Sequence, residues 1–326
     1  MNELIPPFDW TKVIVTPWTE DGGATVWIVL MGFLVATACG LVGNYLILRR
    51  MALVGDAISH SVLPGIAIAF LIARKNDSTA LFIGAMVAGL VTTTIIEFIH
   101  RNTRVKQDAA IGIAFTTLFA IGVVLISLFA AKVDLDQECV LYGEIGFVWA
   151  PPPVKIFGLS LGPLPVARMG IVTVLTVLLL IVFYKELLVS SFDAGLAASL
   201  GINATAVHYL LMGWLSVVVV SAFESVGAVL VVAMLILPGA TASLLTTRLP
   251  LVHGLTVVNA AASSLIGFHL ATWLNCSTAG AMVVTASGLF GLAWIFGPTD
   301  GLIRRWRHSR KRISAPPDES LIEEQR

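Results

Sequence analysis

The sequence predicts an all-α polytopic membrane protein with about nine transmembrane helices. Three observations predict it. The 326 residues are 57% hydrophobic and only 12% charged, about half the charge of a typical soluble domain. The mean hydropathy is +0.91. The apolar residues also fall into stretches of the length that crosses a hydrocarbon core, about 20 residues of helix. The formal net charge is zero, which excludes a strongly basic nucleic-acid binder. The surroundings that such a composition calls for are membrane lipid, and charge has to be read by its place along the chain.

The elements follow in order. Residues 1–24 lack the basic start and apolar centre of a signal peptide. Pro6, Pro7, Trp10 and Trp18 suggest instead an extracytoplasmic segment lying at the interface. A transmembrane domain then covers 25–300, with spans at about 25–48, 51–73, 78–99, 109–131, 168–184, 204–222, 225–247, 252–274 and 277–298. Two joins are tight, at Arg49-Arg50 and around Phe223-Glu224, so eight spans plus a re-entrant piece is the other count. Residues 301–326 run from basic to acidic and form a cytoplasmic tail.

Orientation follows from the basic residues. With the N-terminus outside and an odd number of spans, 14 of the 20 Lys and Arg fall on the inner side. The reverse topology would invert that bias, so the C-terminus is placed in the cytoplasm. The outer loop 132–153 is acidic and then proline-rich, with Asp134, Asp136, Glu138 and Glu144 at the mouth. Such a loop either concentrates cations or is an ordinary solvated loop. The inner loop 184–202 reads as one short amphipathic helix, with Ser190, Ser191 or Asp193 as its N-cap and Gly201 ending it.

The second span, "MALVGDAISHSVLPGIAIAFLIA" (51–73), carries Asp56 and His60 four residues apart. On a helix these lie one above the other. An ionisable side chain in a span costs about 2.5–3.5 kcal/mol and normally faces a cavity or a partner. A divalent cation would satisfy both groups, and oxygen with nitrogen suits manganese, iron(II) or zinc better than copper(I). A structural Asp–His hydrogen bond or a proton relay accounts for the same spacing. Pro64-Gly65 follows, and "LPG" recurs at Pro238-Gly239 in a span of the other half. Paired proline-glycine interruptions of this kind point to a central path, or recur by chance. Glu224 is a pathway acid or a solvated helix-end carboxylate.

Enzyme motifs are missing. The chain has no Gly-x-x-x-x-Gly-Lys-Ser/Thr loop, no His-Glu-x-x-His and no Gly-x-Ser-x-Gly elbow. Transport remains, powered by an ion gradient or by a separate ATPase.

Several blocks together resemble one family: "LVGNYLILRRMALVGDAISHSVLPGIAIAF" (41–70), "RVKQDAAIGIAFTTLFAIGVVL" (104–125), "LYGEI" (141–145), "SSFDAGLAASLGI" (190–202) and "SVGAVLVVAMLILPGATASLL" (225–245). Their order is similar to that of the membrane subunits of bacterial ABC importers for manganese, zinc and iron. The resemblance implies a permease resembling the vitamin B12 importer fold, multi-pass in the bacterial cytoplasmic membrane. It implies a homodimer, or a pair with a closely related permease. It further implies a cytoplasmic ATP-binding subunit and an extracytoplasmic metal-binding protein. No cofactor is held permanently; Mn2+, Zn2+ or Fe2+ is cargo, and ATP belongs to the partner. Asp56 and His60 correspond to the metal path. The segment containing Ser191, Phe192, Asp193, Ala194, Ala197, Ala198 and Gly201 corresponds to the coupling helix, although it departs from the Glu-Ala-Ala pattern of other importers. Manganese is favoured, because the donor pair has no adjacent cysteine and the "ECVLYGEI" loop looks like the manganese members. The reading from another class is an ion-coupled secondary metal transporter with Asp56-His60 as its relay.

Smaller expectations complete the reading. Cys139 and Cys276 both fall outside, where a disulfide is an option, and Cys39 reads as a small packed residue. Glu97 pairs with Arg101 at i,i+4, and Asp108 sits at a helix N-terminus. His208, His253 and His269 have no ligand spacing and read as structural.

Overall fold

A computed structural model describes residues 6–73, 78–129, 145–156, 159–298 and 301–302. The acidic mouth residues Asp134, Asp136, Glu138 and Glu144, Cys139 and the tail from residue 303 lie outside the described residues. A short helical entrance, Thr11–Val15 and then α1 (Thr16–Thr19), leads into the first long helix. Nine helices among the described residues are long and apolar enough to cross a membrane. They are α2 (Gly22–Leu48), α3 (Val54–Ala73), α4 (Ser78–Asn102), α5 (Gln107–Phe129) and α6 (Leu164–Val182). After the short α7 (Tyr184–Phe192) and α8 (Ala194–Ser199) come α9 (Ala204–Val226), α10 (Ala228–Leu245), α11 (Leu249–Leu274) and α12 (Thr278–Phe296). A two-stranded hairpin, β1 (Pro153–Ile156) and β2 (Leu159–Pro163), is the sole sheet among the described residues.

The helices form two groups. In one, α2, α10, α11 and α12 pack on one another; in the other, α3 packs on α4 and α5. Helix α9 touches both groups and α6, and so ties them together. Helix α2 is the most enclosed, with Met31, Val35, Cys39, Tyr45 and Leu46 fully buried. Without a hydrophobic driving force between helices in lipid, such contacts rest on close packing and buried hydrogen bonds. One cluster of these joins α2 to α11. Asn44 Nδ2 donates to Thr256 Oγ1 at 3.1 Å and lies 2.9 Å from His253 Nδ1, while His253 Nε2 lies 3.3 Å from Tyr45 OH.

The tight joins resolve into helix ends. The α2–α3 turn is closed by Met51 N–H to the Leu46 carbonyl at 2.8 Å, with Arg50 in the left-handed region at φ 59°. The other break sits at Gly227 (φ 78°), a few residues beyond Phe223-Glu224. Gly227 takes a positive φ that a side chain resists, so α9 runs through Glu224 to Val226 before the chain turns into α10. Nine helices, not eight plus a re-entrant piece, are the result. At the N-terminus, Trp273 Nε1 donates to the Pro6 carbonyl at 3.0 Å, and His269 Nδ1 lies 2.9 Å from the Val13 carbonyl. The interfacial segment is thereby pinned to the end of α11.

Candidate metal path

Helix α3 buries Val54, Ala57, Ile58, Ser61 and Val62. Its other side presents Asp56 and His60, as the four-residue spacing requires. His60 Nε2 lies 3.4 Å from Asp56 Oδ1, and the two side chains are 34% and 40% exposed respectively. Phe115 and Phe119 of α5 flank the imidazole, with ring centroids 6.0 and 6.1 Å away. The pair thus sits at the α3–α5 surface of the protomer, with the imidazole beside two aromatic rings. Among the described residues no three or more His, Cys, Asp or Glu side chains come together to hold a metal. One protomer offers two donors at this place, each still more than a third exposed.

Pro64 and Gly65 do not break α3, nor do Pro238 and Gly239 break α10; both helices run through them. The expectation of interrupted helices is corrected, and packing supplies the reason. Pro64 lacks the N–H that would meet the His60 carbonyl, so one backbone oxygen is released beside the pair. Neighbouring helices in lipid tolerate such a loss without unwinding. The glycines serve close approach. A Cβ on Gly65 would collide with the Gly84 carbonyl of α4, and one on Gly239 with the Asn44 side chain of α2. Gly122 of α5 faces Pro64 from the other side, where a Cβ would stand 2.8 Å from the proline nitrogen.

The inner segment forms two helices rather than one. Asp193 separates them and caps α8, its Oδ1 accepting from Gly195 N at 2.8 Å and Leu196 N at 3.1 Å. Of the three candidate caps, Ser190 and Ser191 are otherwise engaged: they accept from Arg49 at 2.9 and 3.0 Å. Gly201 follows α8 at φ 78°. Ala197 is buried and Ala198 exposed. Phe192 at the end of α7, Leu196 in α8 and Leu200 just after it are 69%, 52% and 61% exposed, apolar side chains on the outside of the segment. Of the remaining candidates, Glu224 lies in the last turn of α9 with its side chain outside the description, as is that of Ala194. Cys276 is exposed and Cys39 buried.

A model of the ABC 3 transport family matches residues 23–297. The chain belongs to this family. Its relatives are metal transporters. The manganese transport system membrane protein MntD of Bacillus subtilis is 46% identical over 280 residues, 86% of this chain and 94% of that protein. The zinc transport system membrane protein TroD of Treponema pallidum is 44% identical over 282 residues, 86% of this chain and 76% of that one. Among solved structures, PsaBC from Streptococcus pneumoniae in complex with Fab superposes with a TM-score of 0.72 at 33% identity, covering 90% of this chain and 98% of that one. This ABC 3 chain is accordingly a metal ABC importer permease, multi-pass in the inner membrane, and a transport subunit rather than an enzyme.

One group of this ABC 3 permease escaped the reading of the sequence. Glu97 of α4 forms the expected ion pair with Arg101, but its second oxygen lies 3.1 Å from His208 Nε2 of α9. His208 Nδ1 lies 3.2 Å from Arg49. These partners stand 111 and 159 residues apart in the chain, and no spacing rule reaches that far.

Proposed function

We propose that this permease carries a divalent transition-metal ion, Mn2+ first among Mn2+, Zn2+ and Fe2+, from an extracytoplasmic binding protein into the cytoplasm, driven by ATP hydrolysis on a separate subunit. The partly exposed Asp56–His60 pair carries the reading. Two donors on one protomer capture an ion weakly, and a transport site has to release what it binds. Two copies related by a two-fold axis, with the α3–α5 faces towards each other, would oppose two such pairs and make four ligands of mixed oxygen and nitrogen. This set lacks sulfur, which favours Mn2+ over softer ions, and the resemblance to MntD agrees with that choice. The N-terminus lies outside and the C-terminus inside.

The segment 190–201 is the contact with the ATPase. Its exposed Phe192, Leu196 and Leu200 supply apolar side chains that a groove on a partner can take up. A short helix between two spans passes on a partner's closure as a rigid shift.

Metal content of an importer-deficient strain supplied with the permease, its ATPase and its binding protein tests the reading. One metal is expected to rise with the intact set and to stay at background with Asp56→Asn, or with an ATPase that cannot hydrolyse ATP. A rise that is indifferent to ATP hydrolysis would establish a secondary transporter instead.

A further inference from the structure

Arg49 stands where α2 ends, and its guanidinium reaches two other elements at once. Nε donates to Ser191 Oγ at 3.0 Å and Nη2 to Ser190 Oγ at 2.9 Å, both on α7; Nη1 lies 3.2 Å from His208 Nδ1 on α9. The serine hydroxyls in turn meet the Leu187 carbonyl at 3.3 and 2.6 Å, so their hydrogens point back into α7 and their lone pairs face Arg49. A guanidinium has only donors. His208 Nδ1 therefore accepts, and the hydrogen on Nε2 goes to Glu97 Oε2 at 3.1 Å. Arg101 holds the other oxygen of Glu97. The result is a directed chain of hydrogen bonds from α7 through α2 and α9 to α4.

Its placement matters. Ser190 and Ser191 lie immediately before the exposed apolar side chains of Phe192, Leu196 and Leu200. Arg49 closes α2 and lies immediately before the left-handed turn at Arg50 that leads to α3 at Val54, the helix of Asp56 and His60. Leu187, fully buried, anchors α7 close by. An arginine fork held at three points fixes both distance and angle, which a lysine on a flexible stem does not.

We propose that Arg49 is the positioning residue that makes metal movement conditional on the ATPase: it locks α7 to the end of α2, where the chain turns into α3, and, through His208 and Glu97, to α9 and α4. A displacement of the α7–α8 segment then moves the α2–α3 turn together with α9 and α4, the helix on which α3 packs. The inference rests on the reading of 190–201 as the ATPase contact, and its test separates the two.

The complete transporter in proteoliposomes, given Mn2+-loaded binding protein, allows Mn2+ uptake and ATP hydrolysis to be measured in the same vesicles. Arg49→Gln is expected to lower Mn2+ moved per ATP by about tenfold, within the range of ordinary coupling energies. Arg49→Lys should restore part of the ratio. The double variant Ser190→Ala/Ser191→Ala leaves the Arg49–His208–Glu97 contacts in place and should lower the ratio in the same direction. An unchanged ratio in Arg49→Gln, including equal losses of uptake and hydrolysis, overturns the proposal and leaves the importer reading intact. Should Arg49→Gln fail to assemble, the double serine variant decides, and an unchanged ratio there overturns it equally. Mn2+ uptake by the unmodified transporter without ATP would instead overturn the importer reading itself.

Discussion

Asp56 and His60 can be weighed as single residues. Each is charged or ionisable in a span that otherwise has none, a cost of about 2.5–3.5 kcal/mol on insertion scales unless something compensates. In the structure they compensate each other only in part, at 3.4 Å with both side chains more than a third exposed. An ion arriving between them would find donors already aligned. On the proposed role of both as direct donors, His60→Ala and Asp56→Asn should each weaken apparent metal affinity by at least the ~10–100-fold that follows the loss of a supporting group around a metal. Uptake against external metal concentration measures it, and an unaltered half-saturation in either variant would remove the pair from the path. Asp193 makes a separate prediction. Its carboxylate caps α8 through two backbone N–H groups, so Asp193→Ala should loosen that helix by about 1 kcal/mol. Faster hydrogen exchange over 194–199, with the long helices unchanged, is the expected signature. The pair was legible in the sequence because four residues on a helix are neighbours whatever the fold. Arg49, His208 and Glu97 were not, because each takes its partner from a different helix.

Between elements, the informative contact is the crossing of α3 with α4 and α5. Gly65 meets the backbone of α4 at Gly84, and Pro64 meets Gly122 of α5. Small residues allow such approach, and van der Waals packing then holds the helices together in lipid. Gly65→Leu should force them apart, at the cost of about 1–3 kcal/mol typical of overpacking, and lower both the melting temperature in detergent and metal uptake. Gly288 of α12 has nothing within 4 Å of a Cβ, so Gly288→Leu should leave both unchanged. Equal effects at the two sites would show that the crossing has no special weight. The same comparison explains why the LPG motifs read as breaks. In a lone helix a proline-glycine pair is a strong interruption; here the helices run on through both pairs, and the glycines lie close against neighbouring helices. On the inner segment, Leu196→Glu and Leu200→Glu place charges among the exposed apolar side chains. Co-purification of the ATPase with the permease should fall sharply, and full retention would move the docking face elsewhere.

For the molecule as a whole, the open α3–α5 face is where a second copy is expected. Ile121 on α5 is 46% exposed and Val258 on α11 is 64% exposed, yet only α5 flanks the Asp56–His60 pair. In a chain lacking its own cysteines, Ile121→Cys should give permease–permease crosslinks with a short thiol reagent and Val258→Cys should not. The reverse result would put the interface on the other group of helices. Orientation has its own measurement: in Cys139→Ser, the exposed Cys276 should react with a membrane-impermeant maleimide added outside intact cells.

By itself the sequence determined the class, the approximate places of the spans, the family through its ordered blocks and the spacing of the Asp56–His60 pair, while the choice of nine spans over eight waited for the break at Gly227. All of these are properties of local composition and spacing, which a hydrocarbon solvent turns directly into helices because every backbone group must be satisfied within its own segment. Only the tertiary structure decided that the proline-glycine pairs are crossings, that the inner segment is two helices capped at Asp193, and that Arg49 binds α7 to α9. Those depend on which helices become neighbours. In lipid that choice is made by close packing and by the few polar groups left to find one another across the bundle, and neither is written in the spacing of any one helix.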